Sequence, residues 1–141
     1  MRGQEPQTAE DWAAVSKSFI DEADQVLKIG QRGLAYERYG YAVEAASKSM
    51  ILRLGRLRRW PKAGEPDAEH VHTHSIVALI KFANVFQRLT EDRRRSNQLH
   101  DNWLVIKEWF PNRYSITQPE HNEVARLGRA AKGMIAWLSS L

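Results

Sequence analysis

Cysteine is absent from the 141 residues. That excludes disulfides, thiolate metal sites and cysteine nucleophiles, and it agrees with a reducing compartment. Long apolar runs are absent too. No stretch approaches the roughly 20 residues that a membrane span needs. Residues 1–6 hold no apolar segment of the signal-peptide kind. A cytoplasmic protein without membrane contact is expected. Strand-like alternation and internal repeats are also missing. What remains has 43% hydrophobic and 27% charged residues, a balance that fits one globular domain with a real core.

Charge is unevenly placed. Residues 1–30 carry three basic and six acidic side chains, a net of −3, whereas residues 31–141 carry 18 basic and 11 acidic, a net of +7. Two basic knots stand out: Arg53, Arg56, Arg58, Arg59 and Lys62, then Arg93, Arg94 and Arg95. Such clusters suit phosphate-bearing partners. They also suit a merely solvated surface.

Helical periodicity dominates the pattern. Residues 1–8 read as a disordered tail and residues 9–141 as one helical domain. Thr8 and Asp11 resemble a capping box, and Trp12, Val15, Phe19, Ala23 and Val26 repeat at helical spacing. Gly30 and Gly33 end this first helix, about 9–29. The second, about 34–57, carries the stripe Tyr36, Tyr39, Val43, Ala46, Met50, Leu54 and Leu57. Ala42, Ala45, Ala46 and Ser49 allow close approach of neighbours, and Glu37, Arg38, Glu44, Lys48 and Arg53 fall mostly on the other side. Residues 58–67 hold Pro61, Gly64 and Pro66 and read as a loop. Trp60, set among basic residues, either anchors that loop or offers a stacking surface.

A third helix is expected from Thr73 to about Leu89, and Glu91–Arg95 reads as a charged turn. Ser96 or Asn97 caps a fourth helix with Leu99, Trp103, Ile106 and Phe110, stopped by Pro111. Thr117–Glu120 reads as a second capping box, opening a fifth helix with Val124, Leu127, Ala131, Met134, Leu138 and Leu141. The expected fold is all-α, an up-and-down four-helix bundle with a fifth helix. His70, His72 and His74 invite a metal reading. On a helix only His70 and His74 would share a face, so no metal and no cofactor are expected.

Three stretches together resemble the HEPN family, the higher-eukaryote and prokaryote nucleotide-binding helical domains. Residues 39–54 resemble its second helix, a run of small residues with an acid–lysine pair. Lys48 keeps the lysine, whereas Ser47 stands at the acid and Ile51 at a second lysine. Residues 73–80 are similar to its histidine-headed third helix. Trp103–Tyr114 resembles its Arg-Tyr ending after the fourth helix, with Ser115 where proline is usual. The resemblance implies a helical bundle, often a homodimer, acting beside a nucleotidyltransferase in toxin–antitoxin or defence settings. It also implies that Lys48, His74, Arg113 and Tyr114 line a nucleotide or RNA phosphate site. The chemistry is reasonable, since a guanidinium forks onto phosphate and a phenol bonds or stacks.

Many members of the family are ribonucleases in which four to six residues separate an arginine from a following histidine. Arg93, Arg94 and Arg95 all precede His100 at such spacings, and Arg95 is the tightest match. A metal-free ribonuclease needs a base and a phosphate-holding cation, roles that His100 and Arg95 would fill as catalytic pair. A third reading is a homodimeric interaction module presenting an exposed Trp60 or Trp109.

Overall fold

A computed structural model describes residues 5–141. Residues 1–4 of the expected tail lie outside that range. Among the described residues seven helices follow in order: α1 (Ala9–Lys28), α2 (Arg32–Arg53), α3 (Ala68–Val71), α4 (Ile76–Phe82), α5 (Phe86–Arg95), α6 (Asn97–Ile106) and α7 (His121–Ser139). No strand occurs among the described residues, so the fold is all-α.

Local chemistry sets the boundaries. The Thr8 hydroxyl accepts from the Asp11 N–H (3.0 Å) and the Asp11 carboxylate accepts from the Thr8 N–H (3.2 Å), a complete capping box. Ser96 caps α6 by accepting from the Leu99 N–H. Three helices end in the same way. Gly30, Gly55 and Asn84 adopt positive φ after α1, α2 and α4. The next N–H in each case returns to a carbonyl five residues back: Gln31 to Val26, Arg56 to Ile51 and Val85 to Ile80. These are Schellman terminations.

They also explain where the sequence expectation fails. The second helix stops at Arg53 rather than Leu57, because Gly55 turns left-handed. The expected third helix is two, α4 and α5, divided at Asn84 (φ +62°). Apolar spacing runs on through that break, so periodicity alone does not show it. Glu91–Arg95 is the last turn of α5, not a loop. The fourth helix ends at Ile106, short of Phe110. Thr117 does not cap the fifth helix, which begins at His121 after Glu120. Gln118 instead accepts from the Gly33 N–H across the fold (2.9 Å).

Helix α2 is the centre, buried on every side from Ala42 to Ile51. Helix α1 runs antiparallel to it, tied by Ser16 to Ala42 O (2.7 Å) and Ser49 to Ala9 O (2.7 Å). Helix α7 runs parallel to α2, because Gly33 meets Gln118, Tyr39 meets Gly128 and Arg53 meets Leu138, each about the same distance apart in sequence. Two glycines permit close packing: a Cβ on Gly40 would lie 1.7 Å from the Trp109 ring, and one on Gly128 2.7 Å from the Tyr39 ring. Trp60 and Trp109 are 1% and 6% exposed, so neither offers the partner surface that the interaction-module reading needed. Trp60 anchors its loop. Glu44 and Lys48, expected on the outer side of α2, are buried.

Candidate functional site

Lys48 and His74 do meet, through a residue the sequence reading did not single out. The Glu44 carboxylate accepts from Lys48 Nζ (2.9 Å) on one oxygen and contacts His74 Nδ1 (2.7 Å) on the other. Glu44 thus stands one helical turn before Lys48, in place of the acid expected at Ser47. The Ser47 hydroxyl is turned back to the Val43 carbonyl (2.9 Å). A carboxylate only accepts, so His74 Nδ1 is the donor in this contact. The Lys48 ammonium also lies over the Trp12 and Trp60 rings, at 4.9 and 5.6 Å. Lys48, His74, Trp12 and Trp60, with His72 and Thr73, line a cavity of about 290 Å³. The three neighbouring histidines disperse: His70 stacks on Phe82, His72 stacks on Trp60, and His74 turns to Glu44.

Arg113 and Tyr114 form a second cluster. The loop after α6 carries Trp109 into the core, where its indole N–H donates to the Tyr36 carbonyl (3.1 Å). That anchor brings the following residues against the start of α2 and of α7. Tyr114 packs edge-on against Tyr36, with centroids 4.9 Å apart, and its hydroxyl donates to Glu123 (2.6 Å). The hydrogen bond to Glu123 pushes the Tyr114 phenol up, and burial pushes the Tyr36 phenol up, so both stay neutral donors near pH 7. Arg113 donates to the Glu108 carbonyl (3.1 Å) and lies over the Phe110 and Tyr114 rings. Among the described residues no carboxylate forms a salt bridge with it. A cavity of about 400 Å³ opens here, lined among others by Arg113, Asn122, Glu123 and Arg126.

The two clusters do not share a cavity. Tyr36 and Glu44, their attachment points on α2, are eight residues and therefore roughly 12 Å apart along the axis. Tyr41 stands between, 5.5 Å from both His74 and Trp109.

The catalytic reading meets a different partner. Arg93, not Arg95, reaches His100, with Nη2 3.1 Å and Nε 3.3 Å from Nδ1. A guanidinium has only donors, so Nδ1 accepts and the ring proton sits on Nε2. Arg95 is turned to the opposite side of α6. There it lines a cavity of about 550 Å³ with Gln98, Asn102 and Trp137. No protein-family model, no curated protein and no solved structure matches this chain.

Proposed function

We propose that this chain is a HEPN-like helical module that binds a nucleotide or RNA through phosphate, as a homodimer and accessory to a nucleotidyltransferase partner. The observation that carries the reading is Arg113. Its guanidinium is oriented by a backbone carbonyl and two rings, and among the described residues no carboxylate forms a salt bridge with it. A planar fork held in this way suits a phosphate oxygen pair. Arg126 adds a second cation at the rim, and the cavity volume suits a small ligand. Asn122 supplies a polar contact in the cavity, and Tyr114 engages the Glu123 carboxylate through its hydroxyl. Lys48 and His74 serve at one remove: the Lys48 charge is matched by Glu44, and His74 presents its Nε2 edge.

Titration of AMP or a short RNA by calorimetry tests this reading. Arg113→Ala removes a charge-assisted contact of about 1.5–3 kcal/mol, so affinity falls about ten- to a hundredfold. An unchanged, salt-insensitive affinity discards the phosphate site.

A second reading, a metal-independent endoribonuclease, is favoured by the Arg93–His100 contact. Arg93 would leave His100 Nδ1 to hold the phosphate, and the nitrogen it vacates would take the 2′-hydroxyl proton. His100→Ala should then abolish cleavage of a single-stranded RNA. Cleavage surviving that change removes His100 from the chemistry.

A further inference from the structure

The Arg113 cavity and the Arg95 cavity lie on one face of one helix pair. Helices α6 and α7 run antiparallel, with Gln98 and Asn102 beside Gly133 and Trp137 at one end, and Val105 and Glu108 beside Asn122 and Arg126 at the other. On α6, Gln98, Asn102 and Val105 step by four and three. On α7, Arg126, Gly133 and Trp137 step by seven and four. Both sets are single helical stripes. At the Trp137 end the helices approach closely, because Gly133 has no side chain: a Cβ there would lie 2.2 Å from Asn102 Nδ2. Arg126 and Trp137 are eleven residues apart on α7, roughly 16 Å along the seam.

The far end of the seam holds a partly buried tryptophan fixed in place. The Trp137 indole N–H donates to Asp92 Oδ2 (2.9 Å), and Arg88 Nε holds the same oxygen (3.0 Å). The indole hydrogen bond, with Arg88 behind it, keeps the Asp92 carboxyl below its usual range and therefore ionised. Trp137 thus has its polar edge satisfied and its orientation set. Around it, the amides of Gln98 and Asn102 and the guanidinium of Arg95 have no hydrogen-bond partner among the described residues. Each amide has both a donor and an acceptor, as base edges require.

From this arrangement we propose that the α6–α7 seam seats a single strand of RNA. Its phosphates lie on Arg113 and Arg126 and, at the far end, on Arg95, and an unpaired base lies against Trp137 within reach of Gln98 and Asn102. The inference rests on the phosphate reading of the Arg113 cavity and extends it from a mononucleotide to a strand. A stacked strand rises about 3.4 Å per nucleotide, so about five nucleotides cover the seam, and fewer if extended. A duplex does not fit this design, because its bases are not free to leave the stack. An acidic peptide would use the guanidiniums and leave the aromatic platform and both amides idle.

Fluorescence anisotropy of a labelled single-stranded RNA eight-mer, with unlabelled AMP and polyglutamate as competitors, tests the seam. The eight-mer should bind at least tenfold tighter than AMP. Trp137→Ala should weaken the eight-mer about tenfold, the usual scale of one lost stacking platform, and leave AMP unchanged. Arg113→Ala should weaken both. Should Trp137→Ala fail to fold by circular dichroism, the double variant Gln98→Ala/Asn102→Ala gives the same split from surface positions. Equal affinity for AMP and eight-mer, an eight-mer affinity untouched by the seam variants, or displacement by polyglutamate as readily as by RNA overturns the strand proposal while leaving the phosphate site standing. Absence of binding by the parent protein to either ligand overturns both.

Discussion

Lys48 holds an ammonium group where charge is costly, with its side chain 8% exposed beside a Glu44 carboxylate at 9%. Each charge is tolerated because the other is there, and because His74 and two indole rings take up the remaining valences. Lys48→Ala should therefore cost about 3 kcal/mol, the usual scale when one partner of a buried pair is removed. The double variant Glu44→Leu/Lys48→Met should recover most of that loss, since no buried charge is then left without its partner. Urea denaturation at pH 7 reads both. A Lys48→Ala protein within 0.5 kcal/mol of its parent would mean that water reaches the pair freely. Little of this was legible in the sequence. Glu44 and Lys48 are four apart, which reads as an ordinary pair on a solvated helix face. Only the packing of α1 and of the segment 58–72, with α3 in it, over that face makes it interior. The Arg93–His100 contact was hidden for a similar reason. Three consecutive arginines point about 100° apart around a helix, and which of them faces His100 depends on how the chain turns at Ser96.

Helix ends were legible where the signal is a side chain, and illegible where it is a dihedral angle. Thr8 with Asp11, and Ser96, announce their helices by chemistry that can be read from residue types. Asn84 does not. It sits inside the apolar progression Ile80, Ala83, Phe86, Leu89, and only its left-handed backbone divides α4 from α5. The break matters for the site, because it sets the direction of α5 and so places Asp92 against Trp137 and Arg93 against His100. Asparagine tolerates that conformation better than most residues, and glycine tolerates it without a Cβ. Asn84→Gly should leave thermal stability within about 0.5 kcal/mol of the parent. Asn84→Val puts a β-branched residue at φ +62° and should cost about 1–2 kcal/mol, a few degrees in Tm. Differential scanning calorimetry distinguishes them. Equal melting of the two variants would show that the break does not depend on the backbone of residue 84.

At the scale of the whole molecule, formal charge overstates what is available to a polyanion. Residues 31–141 carry a net of +7, but many of the cations already have work inside the fold. Arg53 caps the end of α7, donating to the Leu138 and Leu141 carbonyls (2.9 and 3.0 Å), and Arg56 caps α4 through the Ala83 carbonyl (2.8 Å). Arg59 is paired with Glu65, Arg88 with Asp92, Arg38 with Glu22 and Lys132 with Asp24. The basic knot at 53–62, which drew attention as a phosphate surface, is thus largely structural. The cations left along the α6–α7 seam are Arg95, Arg113 and Arg126. Three phosphate contacts on a single strand predict a slope of about −2 for log affinity against log salt, at roughly −0.7 per contact. Raising salt from 50 to 200 mM should then weaken an RNA eight-mer about twentyfold. A slope near −5 is expected if the full +7 were engaged. Anisotropy titrations across that salt range decide the matter. A slope of −4 or steeper would bring the 53–62 knot into the interface. A slope near zero would mean that phosphate is not what Arg113 holds, because a guanidinium bound to phosphate must displace a counterion on every association.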